Sequence, residues 1–203
     1  MSDRLEMIFE HKRKSSAHFR AVQQKHGLVP TPDLMVADPG TREGTHELHK
    51  GLHWINLELS EFIGASPTER PEELADVLHF LIEFCILAGI DHTIIPTEGY
   101  RVEADRLDVM LEASDNDPFV FSDPIMNARF TILQALQVAD VLKNKPWKQT
   151  LRKLDRPEFD TRVKGLFYWI GATVRTAGLS AQELFDQFER KEKINYERVD
   201  SGV

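Results

Sequence analysis

Residues 56–62 read NLELSEF and residues 71–80 read PEELADVLHF. Four carboxylates stand in them as two pairs, Glu58 with Glu61 and Glu73 with Asp76, each pair spaced i, i+3. Side chains at that spacing share one face of an α-helix. The short connection 64–71, carrying Gly64, Pro67 and Pro71, predicts that two helices fold back on each other as an antiparallel hairpin. Four acids would then meet at one spot. Left alone they would repel, and burying them would be costly. A hard divalent cation held by oxygen ligands resolves the conflict, with Mg²⁺ the usual choice when phosphates share the site.

The same helical period extends in both directions. Leu48, Leu52, Ile55, Leu59 and Phe62 give an apolar stripe over 45–63, and Leu74, Val77, Leu78, Leu81, Ile82 and Ile86 give one over 71–89. Residues 3–26 predict an amphipathic helix with Leu5, Ile8, Phe9, Phe19 and Val22 inward and Lys12, Arg13 and Lys14 on the polar side. The proline- and glycine-bearing stretch 27–44 reads as loop. Further helices are predicted at 103–112, 125–143, 158–177 and 180–198, the last opened by the capping box Ser180-x-x-Glu183. A polar loop spans 114–124, and a basic connection with Trp147 spans 144–157. No hairpin dipeptide or clean period-two run suggests a strand. The expected fold is therefore all-α, a helical bundle with a four-helix core and extra helices. One domain covers 1–203: a metal-binding hairpin at about 45–90, a variable helical middle at 91–157 and a C-terminal helix at 180–203. The segments RPEELADVLHFLIEFCILAGI and RPEFDTRVKGLFYWIGATVRTAGL echo each other from RPE to a glycine stop, although the second lacks the acids.

A net charge of −8 argues against a nucleic-acid polymer as partner, but not against a nucleotide whose phosphates a metal bridges. The single cysteine, Cys85, lies in an apolar run and reads as a core thiol in a reducing compartment. The first fifteen residues are too polar for a signal peptide, and the apolar run around 80–90 is broken by Glu83 and too short for a membrane span. A cytoplasmic protein without membrane contact is expected, in a cell or in a phage-infected host.

Carboxylates on facing helices suit two or three Mg²⁺ ions that grip a triphosphate and acidify a bound water. A remaining acid can take that water's proton. Attack on the α-phosphorus would release pyrophosphate and leave a monophosphate. Glu61 is the candidate base and Glu58 the bridging ligand, although the pattern does not separate the two. His79, three residues after Asp76, suits either a supporting contact that orients Asp76 or a half-buried histidine bonded to backbone. Glu83 reads as a solvated or paired acid. At the C-terminus, RKEKINYERVDSGV offers Lys191, Lys193, Asn195, Arg198 and Asp200. Lys191, Asn195 and Arg198 fall at i, i+4 and i+7, on one face that suits a polyphosphate or, more plainly, a basic helix end opposite the dipole.

Taken together, the order of ExxE, the ExxD within EELADVLHF, and AGLSAQELFDQFERKEKINYERVDSG resembles the all-α NTP pyrophosphatase superfamily. Within it, the dimeric dUTPase and phage dCTP pyrophosphatase branch is most similar. That branch carries an acid-L-x-D-x-x-H-F stretch and ends in K-x-x-x-N-x-x-R-x-D-N-G-Y. Here Glu73, Asp76, His79, Phe80, Lys191, Asn195, Arg198, Asp200 and Gly202 stand at those positions. The resemblance implies an α-helical homodimer that cleaves a deoxynucleoside triphosphate with Mg²⁺ or Mn²⁺, dUTP first and dCTP second. It implies Glu58, Glu61, Glu73 and Asp76 as metal ligands, water as nucleophile, and Lys191, Asn195 and Arg198, with Lys193 nearby, at phosphate or sugar.

Val203 and Ser201 replace the family's closing tyrosine and asparagine. His11 and Ser15 stand where first-helix glutamine and asparagine usually meet the base, with Gln23 and Gln24 following. Trp54 and Asn56, beside the first acid pair, are further base or sugar candidates, Trp54 being more often simply a core residue. Two other readings stay open: a MazG-like pyrophosphatase of broader, purine or modified-base specificity, and a helical scaffold whose acids are merely solvated.

Overall fold

A computed structural model of the chain describes residues 3–27, 38–98, 100, 104–115, 117–144 and 152–201. Among them are seven α-helices and one short 3-10 helix, with no strand, so the chain is all-α as expected. The α-helices are α1 (Arg4–Lys25), α2 (Arg42–Gly64), α3 (Arg70–Leu87), α4 (Arg106–Glu112), α5 (Pro124–Val141), α6 (Arg156–Thr176) and α7 (Ala181–Ser201). The 3-10 turn is His92–Ile94. No helix among the described residues is long and apolar enough to cross a membrane.

Local chemistry sets most of the boundaries. Asp3, Asp105, Asp123 and Asp155 cap α1, α4, α5 and α6, each accepting a hydrogen bond from an otherwise unpaired first-turn N–H. Pro71, Pro124 and Pro157 occupy the opening turns of α3, α5 and α6, where no N–H is needed. The predicted starts therefore shift: α6 begins within the segment read as a connection, and α2 begins at Arg42 rather than 45. There Thr41 accepts a 3.0 Å hydrogen bond from the Gly44 N–H. Gly44 itself reads as a loop residue but lies in the first turn of α2, where glycine is required since a Cβ would meet the Asp38 carbonyl oxygen at 2.0 Å. The Ser180–Glu183 capping box forms as predicted: the Glu183 carboxylate accepts from the Ser180 N–H at 2.8 Å, while the Ser180 hydroxyl accepts from the Glu183 N–H at 3.2 Å. Trp147 and the chain end at 202–203 lie outside the described residues.

Two helical hairpins make the core. α2 pairs with α3 and α5 pairs with α6, and the hairpins join through α2 and α5. On the far side of α3, α1 and α7 pack together and against it, while α4 rests on α6. This arrangement explains why α3 is buried nearly all round, Leu74, Val77, Leu78, Leu81, Ile82, Phe84 and Cys85 all being fully covered. Burial pushes the Cys85 thiol pKa far up, which keeps it an inert core group.

The sequence echo corresponds to α3 and α6, each the second helix of its hairpin. Both end on a glycine in the left-handed region, Gly89 at φ 66° and Gly178 at φ 85°. The N–H groups of Ile90 and Leu179 then reach back to the Cys85 and Val174 carbonyls. Where α3 carries Glu73 and Asp76, α6 carries Phe159 and Arg162: Phe159 is buried against Phe84, and Arg162 pairs with Glu158. The second hairpin repeats the scaffold without the acids. Arg156 clamps the hairpins together by donating to the Ala88 carbonyl at 3.0 Å and the Gly89 carbonyl at 3.3 Å.

Candidate metal centre

α2 buries Leu52, Ile55, Leu59 and Phe62 against its neighbours and so turns Glu58 toward α3. α3 in turn buries Leu74, Val77 and Leu78 and directs Glu73 and Asp76 back. One carboxylate oxygen from each of Glu58, Glu73 and Asp76 lies within 4.8 Å of the other two. Glu61, one turn on from Glu58, is exposed and stands outside this trio, but its charge acts on both Glu58 and Glu73. The Lys191 ammonium, from α7, lies 2.7 Å from the Asp76 carboxylate and 2.9 Å from Glu72.

The electrostatics follow from this crowding. Burial, then the charges of Asp76, Glu61 and Glu73, raise the Glu58 pKa to about 7. Burial and the charges of Asp76 and Glu61 also raise Glu73. Burial works against the charge of Lys191, but its hydrogen bonds to Asp76 and Glu72 outweigh it and hold the ammonium above its ordinary range. The hydrogen bond from Lys191 depresses Glu72.

These shifts set a pH dependence. Glu58 titrates at 4.5 in the unfolded chain and about 7 in the fold. Its raised pKa stabilises the metal-free fold fully below the unfolded value, and that contribution is lost as pH rises through about 7. Glu72 and Glu192 are depressed, so their contributions are lost only as pH falls below the usual carboxylate range. Between pH 5 and 8 the raised acids decide the trend among these groups. Metal-free protein is expected to melt higher at pH 6 than at pH 8. Saturating Mg²⁺ is expected to reverse that order and to release protons on binding near pH 7, which calorimetry in buffers of different ionisation enthalpy reads directly. A melting temperature that rises from pH 6 to 8 without metal would count against this electrostatic picture.

The donor set fits a hard divalent cation. All three atoms are carboxylate oxygens, hydrogen bonds from the described protein leave most of their lone pairs free, and a cation, the lysine ammonium, already sits against one of them.

Behind Lys191 lies a buried polar cluster that the sequence reading missed. Glu192, 5 % exposed, accepts a 3.1 Å hydrogen bond from the Ser15 hydroxyl, and its carboxylate lies 3.4 Å from His79 Nδ1, long for a hydrogen bond. Burial disfavours its charge, but His79, Lys12 and Ser15 hold its pKa below the ordinary range. His79 stacks on Phe188 at 4.1 Å and faces Glu192; its contact to Glu192 takes the place of the expected contact to Asp76. Lys12 is buried and pairs with Glu83 at 3.0 Å, which corrects its assignment to the polar side of α1. Position 12 continues the buried stripe of Leu5, Ile8 and Phe9, so its charge needed an acid on α3.

The remaining candidates divide between two faces. Asn195 and Arg198 continue the α7 face that Lys191 presents to α3. Lys193 instead lines a groove between α1 and α7 with His11, Lys14, Glu189, Glu192 and Tyr196. There His11 is tied to Glu189 and Ser15 to Glu192, so two base candidates are engaged within the fold. Asp200 pairs with His18 of α1 at 2.8 Å, whereas His79 faces Glu192. Trp54 is 45 % exposed and stacks on Phe80 at 5.7 Å, so it is a surface residue rather than core. It lies one helical turn before Glu58, and Phe80 one turn after Asp76. The Asn56 side-chain oxygen is buried with no hydrogen bond among the described residues.

No family model matches the chain, and no curated protein or solved structure matches it.

Proposed function

We propose that this chain is a Mg²⁺-dependent pyrophosphohydrolase of a pyrimidine deoxynucleoside triphosphate, dUTP or dCTP, of the all-α NTP pyrophosphatase type that its sequence resembles. The observation that supports it most is the convergence of Glu58, Glu73 and Asp76 within 4.8 Å between two packed helices. Burial and mutual repulsion raise the Glu58 pKa to about 7, a cost that a bound cation would relieve.

Bound by those three residues, Mg²⁺ would neutralise phosphate charge and lower the pKa of a water. The chain's own residues do the rest. Glu61, exposed and one turn from Glu58, would accept the water's proton. Lys191, followed at helical spacing by Asn195 and Arg198, offers cations and an amide to phosphate oxygens. The stacked pair Trp54–Phe80 offers a flat apolar surface beside the acids for a nucleobase. The homodimer that the resemblance implies and a role in nucleotide metabolism belong to the same proposal, Leu133 and Leu136 on α5 being exposed apolar residues a second copy would cover.

A panel of ribo- and deoxynucleoside triphosphates with Mg²⁺ or Mn²⁺, read by pyrophosphate release, tests it. The expected result is turnover of dUTP or dCTP to monophosphate and pyrophosphate, lost in Glu61→Gln. Preferential purine turnover would move the assignment to a MazG-like activity. No turnover with either metal, and no thermal stabilisation by metal and nucleotide, would leave a helical scaffold.

A further inference from the structure

The position of Lys191 poses a problem for any cation entering the acid trio. Its ammonium is bonded to Asp76 at 2.7 Å and anchored by Glu72 at 2.9 Å, and Glu72 is held in turn by Arg190 at 3.3 Å. The Lys191 side chain is 15 % exposed and Asp76 21 %, so the pair is shielded from solvent and from screening ions. An ammonium and a divalent cation sharing Asp76 would repel at close range.

We propose that Lys191 is a built-in competitor for the metal: its ammonium holds a cation position in the free protein, and it must leave Asp76 before a divalent ion can be fully ligated. Resting on the pyrophosphohydrolase reading, the inference adds how that site is regulated. Once displaced, the ammonium is free for an anionic phosphate arriving with the metal. Metal and nucleotide then bind cooperatively, because the phosphate stabilises the lysine in the position the metal requires, and the linkage is reciprocal. Free metal alone binds weakly, and Asp76 remains paired with Lys191 when no nucleotide is present. Glu72 lies outside the trio, so it gives the lysine an anchor that the metal does not contest.

The test compares wild type with Lys191→Met, which keeps the stem and removes the charge, and with Lys191→Gln, which keeps a polar end. Mn²⁺ is titrated calorimetrically at pH 8, alone and with a non-hydrolysable dUTP analogue, after circular dichroism has confirmed the helical content of each variant. In the absence of nucleotide, both variants are expected to bind Mn²⁺ about tenfold more tightly than wild type, equivalent to about 1.4 kcal/mol. The analogue should tighten Mn²⁺ binding markedly in wild type and much less in the variants. Equal or weaker Mn²⁺ binding by the variants overturns the proposal. So does a structure of the Mn²⁺-loaded protein in which the ammonium remains within hydrogen-bond reach of Asp76. The nucleotide panel is a separate readout: tighter Mn²⁺ in the variants with no turnover by wild type would keep the competition and remove the hydrolase reading, whereas turnover with unchanged metal affinity would do the reverse.

Discussion

Glu58→Gln is expected to lower nucleotide turnover by about 10³-fold, the size of losing one strong electrostatic contact to a transition state, while making the metal-free protein more stable. The two effects share one cause. Glu58 is the most strongly shifted of the clustered carboxylates, its pKa lifted to about 7 by burial and by Asp76, Glu61 and Glu73. Its charge is the least welcome in the fold and the most useful to a cation. An amide of the same shape removes the repulsion and the ligand together. Because Glu58 is only partly buried, solvent screens much of the shift, and the expected gain is about 1 kcal/mol, or roughly 2–4 °C in melting temperature. Thermal denaturation in EDTA at pH 8, beside a pyrophosphate-release assay, reads both. A variant that loses activity and also loses stability would mean that the acids are structural partners rather than a prepared cation site.

Glu192→Ala is expected to be the most damaging single truncation outside the apolar core. It leaves His79 buried without its carboxylate neighbour and strips Ser15 of its acceptor, where α1, α3 and α7 meet; Lys12 keeps its pairing with Glu83. Removing one member of a buried ionic cluster typically costs about 3–5 kcal/mol, which for a chain of this length lowers the melting temperature by about 10 °C. Glu192→Gln, which keeps a hydrogen-bond acceptor for the Ser15 hydroxyl, should cost roughly half as much. Urea denaturation of the metal-free proteins measures both. A loss below about 1 kcal/mol for the alanine variant would show that water replaces the carboxylate without strain.

The hairpin was legible because one helical period carries two messages there. Leu48, Leu52, Ile55, Leu59 and Phe62 mark the buried side of α2, and Glu58 sits at the matching offset toward α3, with Glu61 one turn on and exposed. The C-terminal capping box was legible for a similar reason, since the contacts of Ser180 and Glu183 are local. Lys12, Glu72 and Glu192 were not. A lysine on an apolar stripe or a glutamate within RKEK reads as solvated until the helix opposite is known, and each of these finds its partner on another helix: Glu83, Lys191 and His79. Trp54 erred in the other direction. Its bulk suggests core, yet the stripe of Leu52, Ile55 and Leu59 leaves position 54 facing out, where it stacks on Phe80 instead. Gly44 read as loop because glycine is a poor helix former, whereas the close approach of the Asp38 backbone is what requires it.

The most direct measurement is a titration of Mn²⁺ into metal-free protein at pH 8 with a non-hydrolysable dUTP or dCTP analogue, alongside Glu58→Gln and Asp76→Asn. Saturable binding by wild type, and its loss in both variants without loss of helical structure, is the predicted result. Failure of wild type to bind the ion with either analogue, or undiminished binding after both substitutions, would contradict a metal centre at Glu58, Glu73 and Asp76.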